Sequence, residues 1–296
     1  MSRVFDMNKF CIFTDSSCDL PAKLADDLGV TVIPLQVIAD GREYVNYLDE
    51  REVGFHEYYD MLRRGLQATT TAANMDTFMT AFETVLEQGN DVLYLGFSSG
   101  LSGTYNSGRM AAEELSEKYP DRKILAVDTL CASLGQGLMI YHAVQQQRDG
   151  KSIEEVRDWV EQKKLNMCHL FTVDDLRHLY RGGRVSRTTA IVGSALGMKP
   201  LMHMDDDGHL TKTGVVRGRK SSLDSMVKRM KELVVNSAEQ MVFISHGDCL
   251  EEAEYLAGEI RKAMPVKDIV INYVGPVIGT HSGPGTMALF FFGTER

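Results

Sequence analysis

Residues 92–105 have the sequence VLYLGFSSGLSGTY. An apolar, β-rich run at residues 92–95 precedes a turn that is crowded with serine and glycine, and a helix-like segment follows from residue 107. This order predicts a strand that passes through a tight turn into a helix. Backbone amides at the start of a helix, with hydroxyl groups among them, form a site for a carboxylate or a phosphate.

The same order of strand, turn and helix recurs through the first half of the chain. Strands are predicted at residues 10–13, 31–38, 92–95 and 123–128, and helices at 21–28, 55–64, 77–88, 107–118, 134–148 and 153–163. This alternation predicts an α/β fold with an N-terminal domain over residues 1–160, in which helices flank a mostly parallel sheet. Ligands of such sheets bind at the carboxyl ends of the strands. Hydroxyl-rich turns fall at such ends, at residues 14–17, 69–74, 98–104 and 128–133.

The second half of the chain has a different pattern. Strands are predicted at residues 167–173, 199–204, 209–216, 240–245, 268–274 and 287–292, and helices at 174–180, 188–196, 221–235 and 250–263. The acidic turn 205–208 joins two of these strands and is typical of a hairpin. A hairpin among αβ units indicates a mixed sheet, so we expect a second α/β domain over residues 161–296.

Composition restricts the partners and the compartment. A formal charge of −9 argues against nucleic acid as the main partner. No apolar run approaches the roughly 18 residues that a membrane span needs, and no signal peptide is visible at the N-terminus. Five dispersed cysteines without a Cys-x-x-Cys pair indicate reduced thiols and a cytoplasmic protein. No metal site is predicted, because a charged hairpin tip explains His203 and His209 beside the acidic turn.

The serine-rich turn supports two hypotheses. Ser98 is the centre of a Gly-x-Ser-x-Gly pattern, which is typical of the nucleophile of a serine hydrolase. Such an enzyme needs a histidine base and an acid, and His281 follows late enough in the chain to be that base. The His-Gly-rich oxyanion loop that usually precedes such a serine is absent. The alternative is a cradle of amides and hydroxyls for an anion, which requires no base.

Two further segments carry candidate functional residues. Residues 275–285, GPVIGTHSGPG, predict a constrained and irregular loop that positions His281. The second half of this acidic chain contains several basic residues that could bind a phosphate or an acidic partner. They are Arg181, Arg184, Arg187, Arg217, Arg219 and Lys220. A regulatory or scaffolding protein that uses this basic surface is a third hypothesis.

Taken together, these segments resemble the DegV family over about residues 9–293. The matching motifs are TDSSCDLP (14–21), VIPL (32–35), the turn at 96–105, residues 128–138, LYRGGRV (179–185) and the segment 275–285. The family is similar to the fatty-acid-binding subunit of the bacterial fatty acid kinase. The resemblance implies a two-domain fold that holds one long-chain fatty acid between its domains. It also implies a carrier, not an enzyme, which needs no cofactor and presents the carboxyl group to a separate ATP-dependent kinase subunit.

The resemblance also implies roles for individual residues. The carboxylate site would consist of Thr70, Thr71, Ser99, Ser102, Gly103 and His281, and Arg184 and Arg217 would lie near the acyl phosphate and the partner surface. The family's threonine-rich turn usually reads Thr-Ser-Gln-Pro-Ser, whereas residues 70–74 here are TTAAN. The hydroxyls of the turn are therefore kept, while its glutamine and proline are replaced by Ala72 and Ala73.

Overall fold

The structure, a computed structural model, describes residues 10–192 and 197–296. The strands within these residues are β1 (Phe10–Asp15), β2 (Thr31–Ile33), β3 (Leu35–Ala39), β4 (Arg42–Asn46), β5 (Ala68–Thr71), β6 (Asp91–Gly96), β7 (Ile124–Asp128), β8 (Met167–Thr172), β9 (Met198–Met204), β10 (Leu210–Arg217), β11 (Met241–His246), β12 (Asp268–Tyr273) and β13 (Met287–Phe292). The helices are α1 (Ala22–Leu28), α2 (Phe55–Arg63), α3 (Met75–Leu86), α4 (Thr104–Lys118), α5 (Leu134–Arg148), α6 (Ile153–Lys163), α7 (Arg177–Arg181), α8 (Arg187–Val192), α9 (Arg219–Leu233), α10 (Leu250–Ala263) and α11 (Pro276–Ser282).

These strands form three sheets. The first half contributes a parallel sheet in the order β2-β1-β6-β7, and the second half a mixed sheet in the order β10-β9-β8-β13-β11-β12. A small antiparallel sheet has the order β4-β3-β5. The α/β class, the parallel sheet and the mixed sheet are therefore confirmed. The β9–β10 pair forms the predicted hairpin, and residues 193–196 of the helix predicted at 188–196 lie outside the described residues.

The small antiparallel sheet is the part of the fold that the sequence pattern did not predict. The strand expected at 31–38 divides at Pro34, because proline has no amide proton to donate to a ladder. On one side β2 pairs in parallel with β1, and on the other β3 pairs with β4 and β5. The threonine-rich turn expected at 69–74 begins as strand β5, in keeping with the β-branched side chain of threonine.

The prediction of an irregular loop at 275–285 was wrong for most of its length. Residues Pro276–Ser282 form α11, with the proline in the first turn, where its missing amide proton costs nothing. Gly279 lets this helix approach α2, since a Cβ there would lie 2.6 Å from the hydroxyl oxygen of Tyr59. The segment therefore positions His281 through a short helix.

Helix α5 joins the two halves of the molecule. Its side chains are buried on nearly all sides, and it packs against strands β8, β11 and β13 of the mixed sheet. One hydrophobic cluster contains Ile12 of β1, Leu138 and Ile140 of α5, and Phe243 and Phe290 of the mixed sheet. Full burial of a side chain of this size contributes about 1.5–3 kcal/mol, so this shared cluster binds the halves strongly.

Candidate functional site

A cavity of about 250 Å³, here called the apolar cavity, lies where the carboxyl end of β6, the start of α5, the mixed sheet, the β9–β10 hairpin and α11 meet. Its apolar lining comes from Leu35, Ala72, Phe97, Leu101, Ala132, Phe171, Leu179, Met204, Leu210, Val274, Val277, Ile278, Ala288 and Phe290. Its polar lining is Thr70, Ser102, Gly103, Ser133, His169, Arg184, Ser245, His281 and Thr286. The cavity thus combines a mainly apolar wall with a few polar groups, which is typical of small-molecule sites.

A second cavity adjoins the first and is here called the polar cavity. It also measures about 250 Å³ and is lined by Leu62, Leu66, Gln67, Ala68, Thr69, Thr70, His178, Arg181, Gly182, Arg184, Thr280 and His281. Thr70, Arg184 and His281 line both cavities, so these three side chains lie at their junction.

Thr70 and His281 form the centre of this junction. The Oγ1 of Thr70 and the Nε2 of His281 are 2.8 Å apart, a hydrogen bond that joins β5 to α11. Burial lowers the pKa of His281 to about 4, and the nearby charge of Arg184 acts in the same direction, so the ring is neutral at pH 7. Its Nδ1 is buried without a hydrogen-bond partner among the described residues. Gly182 allows this packing, because a Cβ there would lie 2.3 Å from that Nδ1.

Arg184 supplies a positive charge to the junction. Its guanidinium donates to the backbone carbonyls of Gly182 and, at 3.1 Å, Leu101, which ties the α7 segment to the serine-rich turn. Burial lowers the pKa of this guanidinium, yet arginine stays protonated in proteins. The side chain therefore brings a cation to the cavity wall, and its hydrogen-bond partners among the described residues are backbone carbonyls instead of a carboxylate.

Ser102 and Gly103 lie at the start of α4 beside the apolar cavity. The hydroxyl oxygen of Ser102 accepts from the amide of Thr104 at 3.2 Å and lies 2.9 Å from the Thr104 hydroxyl. Gly103 precedes the first turn of the helix, and a Cβ there would meet nothing within 4 Å. The positive end of a helix of 15 residues is thus directed to this side of the cavity.

The structure brings some of the expected site residues together and leaves others apart. Thr71 and Ser99 are exposed and do not line the apolar cavity, and the Ser99 amide donates to Asp128. Thr71 lies outside because successive side chains of a strand point to opposite faces, so it cannot share the orientation of Thr70. Arg217 is exposed at the end of β10, away from both cavities. The residues brought to the apolar cavity are Thr70, Ser102, Gly103, Arg184 and His281.

The Ser98 hydroxyl has a structural partner in place of a catalytic base. Ser98 is buried, its Oγ donates to the carbonyl of Gly208 at 2.9 Å, and it accepts from the amide of Gly100 at 3.2 Å. Among the residues that the structure describes, no histidine nitrogen forms a hydrogen bond with this oxygen. The geometry of a hydrolase is therefore not present at Ser98, whose hydroxyl instead holds the tip of the β9–β10 hairpin.

A buried carboxyl group behind the cavity was not identified from the sequence. Asp19 accepts from the amide of Gly275 at 3.0 Å and from the hydroxyl of Ser133 at 2.5 Å, and Ser133 lies 3.0 Å from the hydroxyl of Ser245. Burial raises the pKa of Asp19 to about 8. The motif at 14–21 includes this aspartate, but its partners come from distant parts of the chain, so no local sequence pattern indicates its role.

Two other features bear on ligand classes. His56, Asp60 and Asp248 lie close enough to share a metal ion, but Arg63 already donates to Asp248 at 2.5 Å and to Asp60 at 2.9 Å. A cation would have to displace this guanidinium.

None of the described helices is both long enough and apolar enough to cross a bilayer.

Comparison with known proteins identifies the family. The family model described as "Uncharacterised protein, DegV family" matches residues 9–294. A DegV domain-containing protein of Clostridium perfringens is 49% identical over 290 residues, which cover 98% of this chain and 99% of the relative.

Solved structures show the same fold. A fatty-acid-binding DegV family protein from Thermus thermophilus superimposes with a TM-score of 0.87 at 30% identity, covering 96% of this chain and 99% of that one. DegV of Bacillus subtilis, a fatty acid binding protein, superimposes with a TM-score of 0.81 at 27% identity, covering 95% and 98%. The fold and the matched motifs agree over nearly the whole length, and this chain belongs to the DegV family.

Proposed function

We propose that the protein binds a long-chain fatty acid, with the acyl tail in the apolar cavity and the carboxylate at the junction of the two cavities. The observation that carries this proposal is the placement of Thr70, Arg184 and His281, which close an otherwise mainly apolar chamber with a hydroxyl, a cation and an imidazole. The fatty acids bound by the Thermus thermophilus and Bacillus subtilis relatives support the same ligand class.

The energetics favour such a ligand. A tail of about 14 methylenes contributes on the order of 11 kcal/mol of transfer free energy, at about 0.8 kcal/mol for each buried methylene. Lost translational freedom and ordering of the chain reduce this gain, and the remainder still permits tight binding. The hydrogen bonds at Thr70 and His281 orient the ligand, because only the carboxylate end can satisfy them.

We further propose that the protein is a carrier and not itself an enzyme. It would present the carboxylate to a separate, cytoplasmic ATP-dependent kinase subunit and would need no cofactor. In that reaction a carboxylate oxygen attacks the γ-phosphorus of ATP and the bond from that phosphorus to ADP breaks. ADP then leaves with the kinase, and the acyl phosphate stays on the carrier. The exposed Arg217 would contribute to the surface that meets the partner.

Two neighbouring threonines test the proposal. Thr70→Val removes one hydroxyl from the junction, and Thr71→Val is the matched control on the exposed face of the same strand. We expect delipidated wild-type protein to bind one palmitate in native mass spectrometry. In calorimetric titrations Thr70→Val should weaken palmitate binding about tenfold or more, because a hydrogen bond to a charged group contributes about 1.5–3 kcal/mol. Thr71→Val should leave the affinity within about twofold of wild type. Wild-type protein that binds no palmitate would refute the proposal.

A further inference from the structure

A third cavity, here called the α9 cavity, lies between helix α9, strands β8, β9 and β10, and the segment that follows β13. Its volume of about 520 Å³ falls within the roughly 300–1,000 Å³ of ligand-binding cavities. Of the described residues, only Phe171 lines both this cavity and the apolar cavity, so the two are distinct chambers that share one wall. Its apolar lining comes from Leu170, Phe171, Leu201, Met202, Met226 and Leu233.

Arg296 places a positive charge in the wall of the α9 cavity. The residue is only 8% exposed, and its guanidinium donates to the carbonyl of Asp205 at 3.1 Å, to the carbonyl of Leu130 and, at 3.6 Å, to the Sγ of Cys131. These acceptors are uncharged, and the Nε–H is buried without a hydrogen-bond partner among the described residues. A buried charge without a counterion is costly, so this guanidinium favours an anion in the cavity.

The other charged groups of the wall restrict the charge of that anion. The carboxylate of Asp205 accepts from two amides of its own turn at 3.1 and 2.8 Å, and that of Glu295 pairs with Arg229 at 3.2 Å. Asp206 is exposed at the rim. Burial lowers the pKa of His203, so its ring is neutral at pH 7 and adds no positive charge. A phosphate dianion would therefore be repelled more strongly here than a single negative charge.

We infer that the α9 cavity is a second ligand site, which binds a small organic monocarboxylate with its carboxylate at Arg296 and its apolar body against Leu201 and Met226. The carboxylate supplies the acceptor that the Nε–H lacks, in a charge-assisted hydrogen bond. The apolar body removes the surrounding side chains from water. This site is additional to the proposed fatty acid site.

Three ligands with the same chain separate the contribution of the charge from that of the apolar body. Octanoate, octanol and octylamine carry a negative, a neutral and a positive head group. The protein is first saturated with palmitate, so that the apolar cavity is occupied. Isotope-labelled methionine methyl groups then report the site in NMR spectra, because Met226 lines the α9 cavity and Met204 lines the apolar cavity.

Two variants change the site in different ways. Arg296→Gln removes the charge. Thr213→Trp fills the cavity from the exposed face of β10 and leaves Arg296 in place, and an aromatic side chain is well tolerated in a strand. The matched control is Arg261→Gln, since Arg261 pairs with Asp268 at 3.8 Å and lines none of the three cavities.

We expect octanoate to shift the Met226 signal of the palmitate-loaded wild type in a saturable titration, with the Met204 signal unchanged. Octanol and octylamine should bind about tenfold or more weakly than octanoate. Arg296→Gln should weaken octanoate binding by a similar factor, Thr213→Trp should abolish it, and Arg261→Gln should stay within about twofold of wild type. Unchanged palmitate affinity shows that each variant is folded.

Three results would overturn the inference. They are no saturable octanoate shift at Met226 in the palmitate-loaded wild type, octylamine binding as tight as that of octanoate, and full octanoate affinity in Arg296→Gln. A wild type that binds no palmitate would refute the proposed function instead, and the octanoate titration at Met226 would still test this site.

Discussion

Asp19 is the buried acid that connects the first half of the chain to the second. Its carboxyl group contacts Ser133 at the start of α5 and Gly275 at the start of α11. Burial raises its pKa from 3.8 to about 8, because the charged form loses its hydration. At neutral pH the carboxyl group is therefore mostly protonated in the folded protein and ionised in the unfolded chain.

This difference makes stability depend on pH. A group with a raised folded-state pKa contributes its full stabilisation below its unfolded pKa, near 3.8, and loses it as the pH rises through the folded value of about 8. In Asp19→Asn the amide can donate to Ser133 and its oxygen can accept from Gly275, with no titration. We expect urea unfolding to show that wild-type stability falls relative to Asp19→Asn between about pH 4 and pH 8. A stability difference that stays constant, or that changes in favour of the wild type, would contradict this assignment.

At the same scale, the residues of the site divide into those that sequence motifs can locate and those that need a structure. Thr70, Ser102, Gly103, Arg184 and His281 line the cavity at motif positions that the family resemblance had marked. The motifs do not show that Thr71 and Ser99 face away from the cavity, because the direction of a side chain depends on where its strand or turn begins. The contacts of Asp19 could not be predicted from the sequence, because its partners lie more than 100 residues away along the chain.

The β9–β10 hairpin is the element that covers the apolar cavity. Met204 and Leu210, the pair next to its turn, line the cavity, and the turn itself docks on the serine-rich turn. The docking is close, because a Cβ on Gly100 would lie 2.7 Å from the carbonyl oxygen of Asp207 and 2.8 Å from that of Gly208. Backbone atoms cannot move away as a flexible side chain would.

Substitution of this glycine tests the docking. Gly100→Ala should lower the free energy of unfolding by about 1–3 kcal/mol, the usual cost of overpacking a close contact. Gly103→Ala, three residues along the same turn, is the control, because its Cβ would meet nothing within 4 Å, and it should stay within about 0.5 kcal/mol of wild type. Chemical denaturation measures both values. Equal stability of the two variants would show that the hairpin tip does not press on the turn.

Long elements with many buried residues could be predicted from the sequence more accurately than short, polar elements. Helices α5 and α6 begin and end at the predicted residues. The apolar residues of α6 recur with the helical period, whereas α5 is marked by its length, since its buried residues lie on nearly all sides. Strands β4 and β5 are short and polar, so no alternation of apolar residues marks them. Helix α11 contains a proline and a glycine and lies between Gly275 and Gly283, residues that usually indicate a loop, and tertiary packing overrides that preference.

At the scale of the whole molecule, the two halves share their core. The division into residues 1–160 and 161–296 remains a prediction, and the structure shows helix α5 packed between β1 and the mixed sheet in one hydrophobic cluster. Removal of residues 1–160 would expose Phe243 and Phe290, which α5 and its neighbours cover. The halves therefore depend on each other for stability.

A single cooperative unfolding transition follows from this shared core. We expect calorimetry of the full chain to give one transition whose calorimetric and van't Hoff enthalpies agree, as for one cooperative unit. A fragment of residues 161–296 should show no cooperative transition by the same method. Two separate transitions in the full chain, or cooperative unfolding of the fragment, would contradict this account.

In the proposed complex the apolar cavity holds a fatty acid whose carboxylate lies at Thr70 and His281. A crystal structure of the protein with palmitate tests this placement. We predict one palmitate, with its carboxylate oxygens at about 2.7–3.2 Å from the Thr70 hydroxyl and from the Nε2 of His281, and with its tail in contact with Val277 and Phe290. Palmitate bound outside the apolar cavity, or with its carboxylate away from these two side chains, would contradict the account.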